Sequence, residues 1–328
     1  MTIGKNKTPK LSHTLLRKYN KKNVPSNVLD LIENMQGAEL TSHITSWAIK
    51  NNLSMEGVYS FKKNLSERRI FKRDYRTSYS EWMLNEKIAA YEFASNFGVE
   101  VPGVLLSRSS LDQLESVNLR KKVLKPSDGA GSKYVYLIYD NENIFSLMAK
   151  EYLTKDQMFH DLRDAVNRRL VKNKFNLEKL ITEDEKGTPA RDLKFYCFYG
   201  FCALILEIVR GEVVKYCFHD REGHIVDTGK YSSSLFAGLG VSQEQIAIAE
   251  KISLEIPCPF MRIDFLKSNS NSLGMVFGEF TPAPGFYETF NRETDARLGR
   301  LWAKAESALF EDLMKGKRFE AFRRIGKK

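Results

Sequence analysis

The spacing of apolar residues changes period along this chain, and each change predicts an element. Over residues 80–97, Trp82, Ile88, Ala89, Tyr91, Phe93 and Ala94 largely cover one side of a 3.6-residue repeat, which predicts a helix ending at Gly98. Beyond it the pattern shortens to the alternation of strands. Residues 104–107 read as one strand. Residues 122–125 and 134–139 read as a hairpin around a Gly-rich turn, and residues 180–182 as a short strand. Residues 193–198 turn at Tyr199-Gly200 into 203–209, and residues 260–266 return as 275–281. Helical spacing recurs over 155–170, over 242–256 and from about Thr294 onward. Upstream, the first twenty-five residues read as a polar arm with one short helix. Residues 26–61 have helical spacing broken near Gly37 and Gly57, and residues 62–76 form a charge-rich connector. Hairpins separated by helices predict an α+β fold, not a doubly wound parallel sheet.

Length and composition narrow the class. With 328 residues, 42% hydrophobic and 28% charged, the chain has the make-up of a soluble globular protein with material for two lobes. No run approaches the roughly 18–20 apolar residues of a membrane span. The N-terminus lacks the apolar core of a secretory signal, so the expected compartment is the cytosol. Cys197, Cys202, Cys217 and Cys258 form no CxxC, and the five histidines show no ligand spacing; both sets read as structural. The net charge of +10 is concentrated at the start: residues 1–76 hold 15 Lys/Arg against 6 Asp/Glu, and the rest 36 against 35. Residues 315–328 are basic again. Such ends suit an anionic partner, nucleic acid, an acidic glycan or a membrane face, or else form a solvated helical surface.

The hairpin 260–281 carries the most chemistry. Alternation puts Arg262 and Asp264 on one face, with Met261, Ile263 and Phe265 on the other; Glu279 and Thr281 share a face on the return strand. A turn centred on Asn271 and Ser272 sets Asp264 directly across from Glu279. Like charges so opposed destabilise a sheet, and a bound cation reverses the sign. Two carboxylates at that separation suit Mg²⁺, which takes one or two carboxylates together with phosphate oxygens and water. The neutral alternative is a hairpin face on which Arg262 balances both acids. Gly278 and the following Pro-Ala-Pro-Gly signal a specified approach of backbone.

Upstream, Lys125 ends a strand and is followed by Pro-Ser-Asp-Gly-Ala-Gly-Ser-Lys133. Small residues let backbone amides converge on phosphate, and a lysine at the base adds a point charge. The Walker A pattern is absent, and Tyr134 stands where the dinucleotide fingerprint needs its third glycine. A protein kinase is excluded because its lysine follows the glycine loop, whereas Lys125 precedes this one.

Taken in order, Lys125, Leu180-Ile-Thr-Glu183, Asp192-Leu-Lys-Phe, Arg262-Ile-Asp-Phe and Gly278-Glu-Phe-Thr-Pro resemble the ATP-grasp superfamily, and within it the teichuronopeptide-biosynthesis (TupA-like) branch. The resemblance covers about residues 80–302, including Asn85-Glu-Lys87 and Gly98-Val-Glu-Val-Pro. It implies an ATP-grasp fold, two lobes containing antiparallel sheets that clasp ATP, with an additional helical segment ahead of them. The implied divisions are 1–76, a basic N-terminal segment; 77–180, the lobe with the phosphate hairpin; and 181–328, the lobe with the metal site and basic C-terminal helix.

The resemblance further implies that Lys125, Ser127, Gly129, Gly131 and Ser132 cover the phosphates of ATP and that Lys194 is a second phosphate lysine. Ile181 would offer backbone to adenine and Glu183 a carboxylate to ribose. Asp264 and Glu279 would hold Mg²⁺ and Arg262 would steady a developing acyl-phosphate. Two departures stand out. Thr281, a weaker ligand, replaces the usual Asn, which leaves one or two metal ions open. The Thr-Glu-Asp hinge leaves the ribose contact open among Glu183, Asp184 and Glu185. The implied activity is carboxylate–amine ligation through an acyl-phosphate, on a small-molecule or glycan substrate of cell-surface polysaccharide, with the basic ends against an anionic glycan or the inner membrane face. The rivals are an ATP-grasp sugar kinase and, from another class, a basic nucleic-acid-binding module; no aromatic interleaving supports nucleic acid as a partner.

Overall fold

Where this chain passes from loop to helix, a short polar side chain satisfies the first free amides. In the computed structural model, which describes residues 24–33, 35, 42–53, 56–76, 79–127, 133–185, 187–210 and 213–325, the helices are α1 (Ser26–Glu33), α2 (Ser42–Lys50), α3 (Phe61–Tyr75), α4 (Lys87–Ser95), α5 (Leu111–Glu115), α6 (Lys155–Asn167), α7 (Gln243–Leu254), α8 (Arg292–Met314) and α9 (Glu320–Arg323). Ser110, Thr154 and Ser242 each form a reciprocal capping box with the glutamine three residues on, starting α5, α6 and α7. None of the described helices is long and apolar enough to cross a membrane. The helix expected over 80–97 is two pieces. A 3₁₀ turn, Ser80–Asn85, ends where Glu86 becomes extended, and the Glu86 carboxylate accepts from the Ala89 amide at 2.8 Å to start α4. A side chain that caps cannot also lie inside a helix. The polar arm expected over the first twenty-five residues lies almost wholly outside the described residues.

Two antiparallel sheets follow. The first has the order β1-β6-β2-β3-β4-β5. Its strands are β1 (Val104–Ser109), β2 (Lys122–Pro126), β3 (Tyr136–Ile138), β4 (Ile144–Ser146), β5 (Glu151–Leu153) and β6 (Phe175–Lys179). The second has the order β11-β10-β7-β8-β9, built from β7 (Asp192–Phe198), β8 (Phe201–Val209), β9 (Lys215–His219), β10 (Met261–Lys267) and β11 (Met275–Thr281). The strand expected at 180–182 is displaced to β6, and Thr182 keeps only a single bridge to Pro189. The reason is burial on both faces. Asn176 and Glu178 are as buried as Phe175 and Leu177, so the polar–apolar alternation that marks a half-exposed strand points the wrong way.

Leu124, Tyr136, Ile138, Phe159, Leu162, Phe175 and Leu177 belong to a core between the first sheet and α5 and α6. A larger core lies about the second sheet, and it takes in Phe61 and Leu65 of α3 and Tyr91, Phe93 and Ala94 of α4. The ring of Phe61 meets those of Phe260, Phe198, Trp302 and Phe290 at centroid distances of 4.8, 5.8, 5.9 and 6.1 Å. Fully burying one phenylalanine contributes about 1.5–3 kcal/mol. The basic helix α3 is thus fixed to the second sheet by its apolar edge. It also crosses α8 closely: a Cβ on Gly299 would lie 2.4 Å from the Ser60 amide nitrogen. Lys62 N donates to Asp295 Oδ1 at 2.8 Å in the same contact. Gly299→Ala is therefore expected to lower stability by about 1–3 kcal/mol in urea unfolding; a variant as stable as the parent would show that α3 does not dock tightly on α8.

Candidate active site

The cleft face of the second sheet follows from register. Asp192, Lys194 and Tyr196 alternate along β7, and Lys194 pairs with Asp264 and Tyr196 with Arg262 on β10. Asp264 in turn pairs with Glu279 and Arg262 with Thr281 on β11. The opposition of the two carboxylates expected from the sequence is present. It depends on a shift of register between Asp264 and Phe265, where Phe265 pairs with Phe277 and leaves Gly278 as the extra residue. Without that bulge Phe277 and Glu279, two apart, would share a face. With it, Phe277 and Phe280 both enter the core, 4.7 Å apart, and Glu279 is turned out to the cleft. A Cβ at Gly278 would lie 3.0 Å from the Asp264 carbonyl oxygen, so any side chain there would crowd the facing backbone.

Charge on this face is balanced by contact. Arg262 forks onto Asp264, Nε to Oδ1 at 2.7 Å and Nη2 to Oδ2 at 2.6 Å, and Nη2 also donates to Thr281 Oγ1 at 3.0 Å. Lys194 Nζ donates to Asp264 Oδ2 at 2.6 Å and lies 3.2 Å from Asp192 Oδ1. Arg210 Nε donates to Asp192 Oδ2 at 2.5 Å. Burial pushes the Asp192 carboxyl up, but Lys194 and Arg210 outweigh it and hold the group well below the carboxylate range. Burial likewise opposes charge on Lys194 and Arg262, yet Asp264 beside both leaves each more basic than usual. Glu279 differs from its neighbours: it is exposed and forms no hydrogen bond or ion pair among the described residues, although it lies within electrostatic range of Lys125, Lys194 and Arg262.

The first sheet supplies the facing wall. Lys125 on β2 reaches Glu178 Oε2 on β6 at 2.5 Å, and the Tyr91 hydroxyl donates to the same oxygen at 3.0 Å. Burial lowers the Lys125 pKa, with Glu178 opposing and Lys87 reinforcing the shift. Between the sheets is a cavity of ≈ 340 Å³, within the usual size of small-ligand sites. Its lining combines charged groups, Lys125, Lys194, Arg210, Arg262, Asp264 and Glu279, with apolar ones, Val123, Leu137, Leu147, Leu180, Ile181 and Leu266.

The structure gathers Lys125, Lys194, Arg262, Asp264 and Glu279 in one cavity, with Ile181 in its wall and Thr281 beside Asp264, its Oγ1 at 3.5 Å from Oδ2. Ser127 donates its hydroxyl to Asn176 Oδ1 at 2.8 Å; Gly129, Gly131 and Ser132 lie outside the described residues. Glu183 stands back from the cavity lining and pairs with Arg191 at 3.0 Å and Lys267 at 3.8 Å. Sequence reading missed Tyr91, Glu178 and Arg210. The signal for Glu178 was an acid in a strand among Phe175, Leu177 and Leu180, which when buried needs a cation across the sheet. Among the described residues no group of three or more His, Cys, Asp or Glu side chains is placed to hold a metal ion. The candidate set is therefore two carboxylates and a hydroxyl. One of those carboxylates, Glu279, has no hydrogen bond or ion pair among the described residues, and such a set has the chemistry that suits Mg²⁺ completed by phosphate and water.

A second network is centred on Arg191, between the lining residues Ala190 and Asp192. Arg191 bridges Glu183 and Glu207, at 3.0 and 2.8 Å, and the Gly240 amide donates to Glu207 Oε2 at 3.1 Å. Burial pushes the Glu207 carboxyl up, but His219, Arg191 and the Gly240 amide hold it down to about 2.

A family model described as TupA-like ATPgrasp matches residues 64–303. None of the curated proteins matches the chain. Among solved structures, D-alanine–D-alanine ligase from Bacillus anthracis, complexed with ATP, is 14% identical with a TM-score of 0.41, covering 72% of this chain and 68% of that one. The D-cycloserine synthetase DcsG is 16% identical with a TM-score of 0.41, covering 78% and 82%. The D-alanyl-alanine synthetase A of Vibrio cholerae is 10% identical with a TM-score of 0.45, covering 77% and 75%.

Because the folded carboxyl of Glu207 titrates below its ordinary value of 4.5, it contributes stability that is fully present above that value and lost as pH falls toward about 2. Glu207→Gln is expected to cost on the order of 2–3 kcal/mol at pH 7, with the gap to the parent closing as pH falls below 4.5 in urea titrations. A gap that does not change with pH would contradict the charged network.

Proposed function

The chain belongs to the TupA-like ATP-grasp family and is by that membership an ATP-grasp ligase; from this premise we propose that it joins a carboxylate to an amine through an acyl-phosphate, using ATP and Mg²⁺. The observation that carries the reading is the cavity between the two sheets, lined by Lys125 and Lys194 together with Glu279 opposite Asp264. Adenine lies against the apolar lining residue Ile181, whose backbone amide and carbonyl make no hydrogen bond among the described residues. Lys125, Lys194 and the loop containing Ser127, Gly129, Gly131 and Ser132 hold the phosphates. Glu183 reaches the ribose only by exchanging its contacts with Arg191 and Lys267.

Asp264 and Glu279, with Thr281 behind them, are the residues to hold Mg²⁺. When bound, the ion neutralises phosphate charge so that an anionic carboxylate can approach. In the first step the acceptor carboxylate oxygen forms a bond to the γ-phosphorus and the bond to the β–γ bridging oxygen breaks, releasing ADP. Arg262, already fixed by Asp264 and Thr281, stabilises the negative charge on the acyl oxygens. In the second step an amine nitrogen attacks the acyl carbon, the C–O bond breaks, phosphate leaves and the amine gives up a proton. The protein's contribution is to position the groups and offset their charge, as in phosphoryl transfer generally.

The acceptor is proposed to be an anionic small molecule or glycan of cell-surface polysaccharide. The basic segments at both ends of the chain support this reading, and they suit attachment at the inner membrane face. The full-length protein, ATP, Mg²⁺, a panel of carboxylated sugars and hydroxylamine form the test. ADP release that requires the carboxylate and yields a hydroxamate is expected, with Arg262→Met slower by about 100-fold or more. A phosphorylated sugar stable to hydroxylamine would identify a kinase instead and overturn the ligase reading.

A further inference from the structure

Lys230 is a lysine that the proposed chemistry does not use and that the fold does not neutralise. It is 2% exposed. Its Nζ donates to the Gly285 carbonyl at 2.9 Å and lies 5.0 and 5.1 Å from the ring centroids of Phe290 and Tyr231. It forms no ion pair among the described residues, and an ammonium has three donors, so the single bond to Gly285 leaves two unused. A buried cation without a carboxylate in contact is costly, and a buried, strongly perturbed titratable group near a cleft is a candidate functional group. Burial first, and then the charge of Arg262, push this lysine down to about 7, with Glu288 opposing.

Its backbone is fixed rather than loose. Gly229, at φ +74°, packs against Asn291, where a Cβ would fall 2.8 Å from the Asn291 Cβ. Asn291 in turn donates its amide to the Thr228 carbonyl at 2.7 Å and accepts from Thr294 N as the cap of α8. On the other side Tyr231, at φ 60°, stacks on Tyr216 at 3.8 Å. The lysine is therefore held in place between the Tyr231 ring and the start of α8, outside the cavity lining but within electrostatic range of Arg262.

Two more groups point the same way. Tyr196, cross-strand neighbour of Arg262, is fully buried, and its hydroxyl lies beside the Arg262 guanidinium without meeting full hydrogen-bond geometry to any described residue. The turn that covers Lys230 begins just after Thr281 and ends at Phe286, an exposed aromatic at φ 53°. Non-glycine residues in that region store strain, which gathers at ligand sites. The turn 282–286 is the element that must shift for a ligand resting on Arg262 to reach the ammonium.

We infer that Lys230, Arg262 and the Tyr196 hydroxyl form a subsite for the carboxylate of the acceptor, closed by the turn 282–286. This rests on the ligase reading and deepens it: the two basic groups hold the acceptor's oxygens beside the cavity that the nucleotide occupies. Lys230 is here a ligand of the acceptor and not of the phosphates.

The test titrates the full-length protein, saturated with Mg²⁺ and a non-hydrolysable ATP analogue, with galacturonate, glutamate and acetate, and with galactose as neutral control. At least one carboxylate is expected to bind the parent and galactose not to. Lys230→Met is expected to weaken that carboxylate at least tenfold and Lys230→Arg less than threefold, with nucleotide affinity the same in all three. The melting temperature of Lys230→Met should equal or exceed the parent's, since it removes an unpaired buried charge. Carboxylate binding unaffected by Lys230→Met, no carboxylate bound by the parent, or unfolding of Lys230→Met would overturn the inference. So would a parallel loss of nucleotide affinity, which would make Lys230 a phosphate ligand. A parent that binds no nucleotide would instead count against the ligase reading itself.

Discussion

A dry sheet face can carry charge only if each charge finds an opposite in contact, and the cleft face of the second sheet is arranged around that constraint. Asp264 is held by Arg262 and Lys194, and Asp192 by Lys194 and Arg210. Lys125 is held by Glu178 on the facing sheet. Removing one partner of such a pair strands the other, at a cost of roughly 3–5 kcal/mol. The site residues therefore fix one another before any substrate arrives. Two groups escape the balance: among the described residues Glu279 is exposed with no hydrogen bond or ion pair, and Lys230, buried against the Gly285 carbonyl and two aromatic rings, has no ion pair. An anion without a contact partner calls for a cation and a buried cation for an anion, and both groups lie within electrostatic range of Arg262.

The hairpin that bears Asp264 and Glu279 was legible in the sequence because alternation and turn length together determine register. The hairpin turning at Tyr199 and Gly200 was legible for the same reason, and both turn residues have positive φ. Simple alternation does not show how Phe277, Glu279 and Phe280 can all face as they do. The bulge at Gly278 resolves that conflict, and the glycine was its only mark in the sequence. Lys125, Lys194 and Arg262 were recoverable by their order along the chain.

What was not legible depends on contacts distant in sequence. Glu178 is an ordinary strand acid until β2 brings Lys125 beside it, 53 residues earlier in the chain. Lys230 sits in a segment with no periodicity. Its burial comes from Phe290, Tyr231 and the backbone around Asn291, which no local pattern reveals. The break at Glu86 was hidden because a glutamate that caps a helix and one that continues it look alike in composition. The strands β4, β5 and β9 went unread because three- and five-residue runs give too few alternations to register.

The account stands most directly on Glu279. Calorimetric titration of ATP into the parent and into Glu279→Gln, with and without Mg²⁺, isolates its role, because a side chain exposed and unpaired among the described residues can be changed without stranding a partner. Mg²⁺ is predicted to tighten ATP binding at least tenfold in the parent, with Glu279→Gln losing that increment while its Mg²⁺-free affinity and melting temperature stay the same. An equal Mg²⁺ increment in both proteins would contradict the assignment of Asp264 and Glu279 as the metal-holding pair.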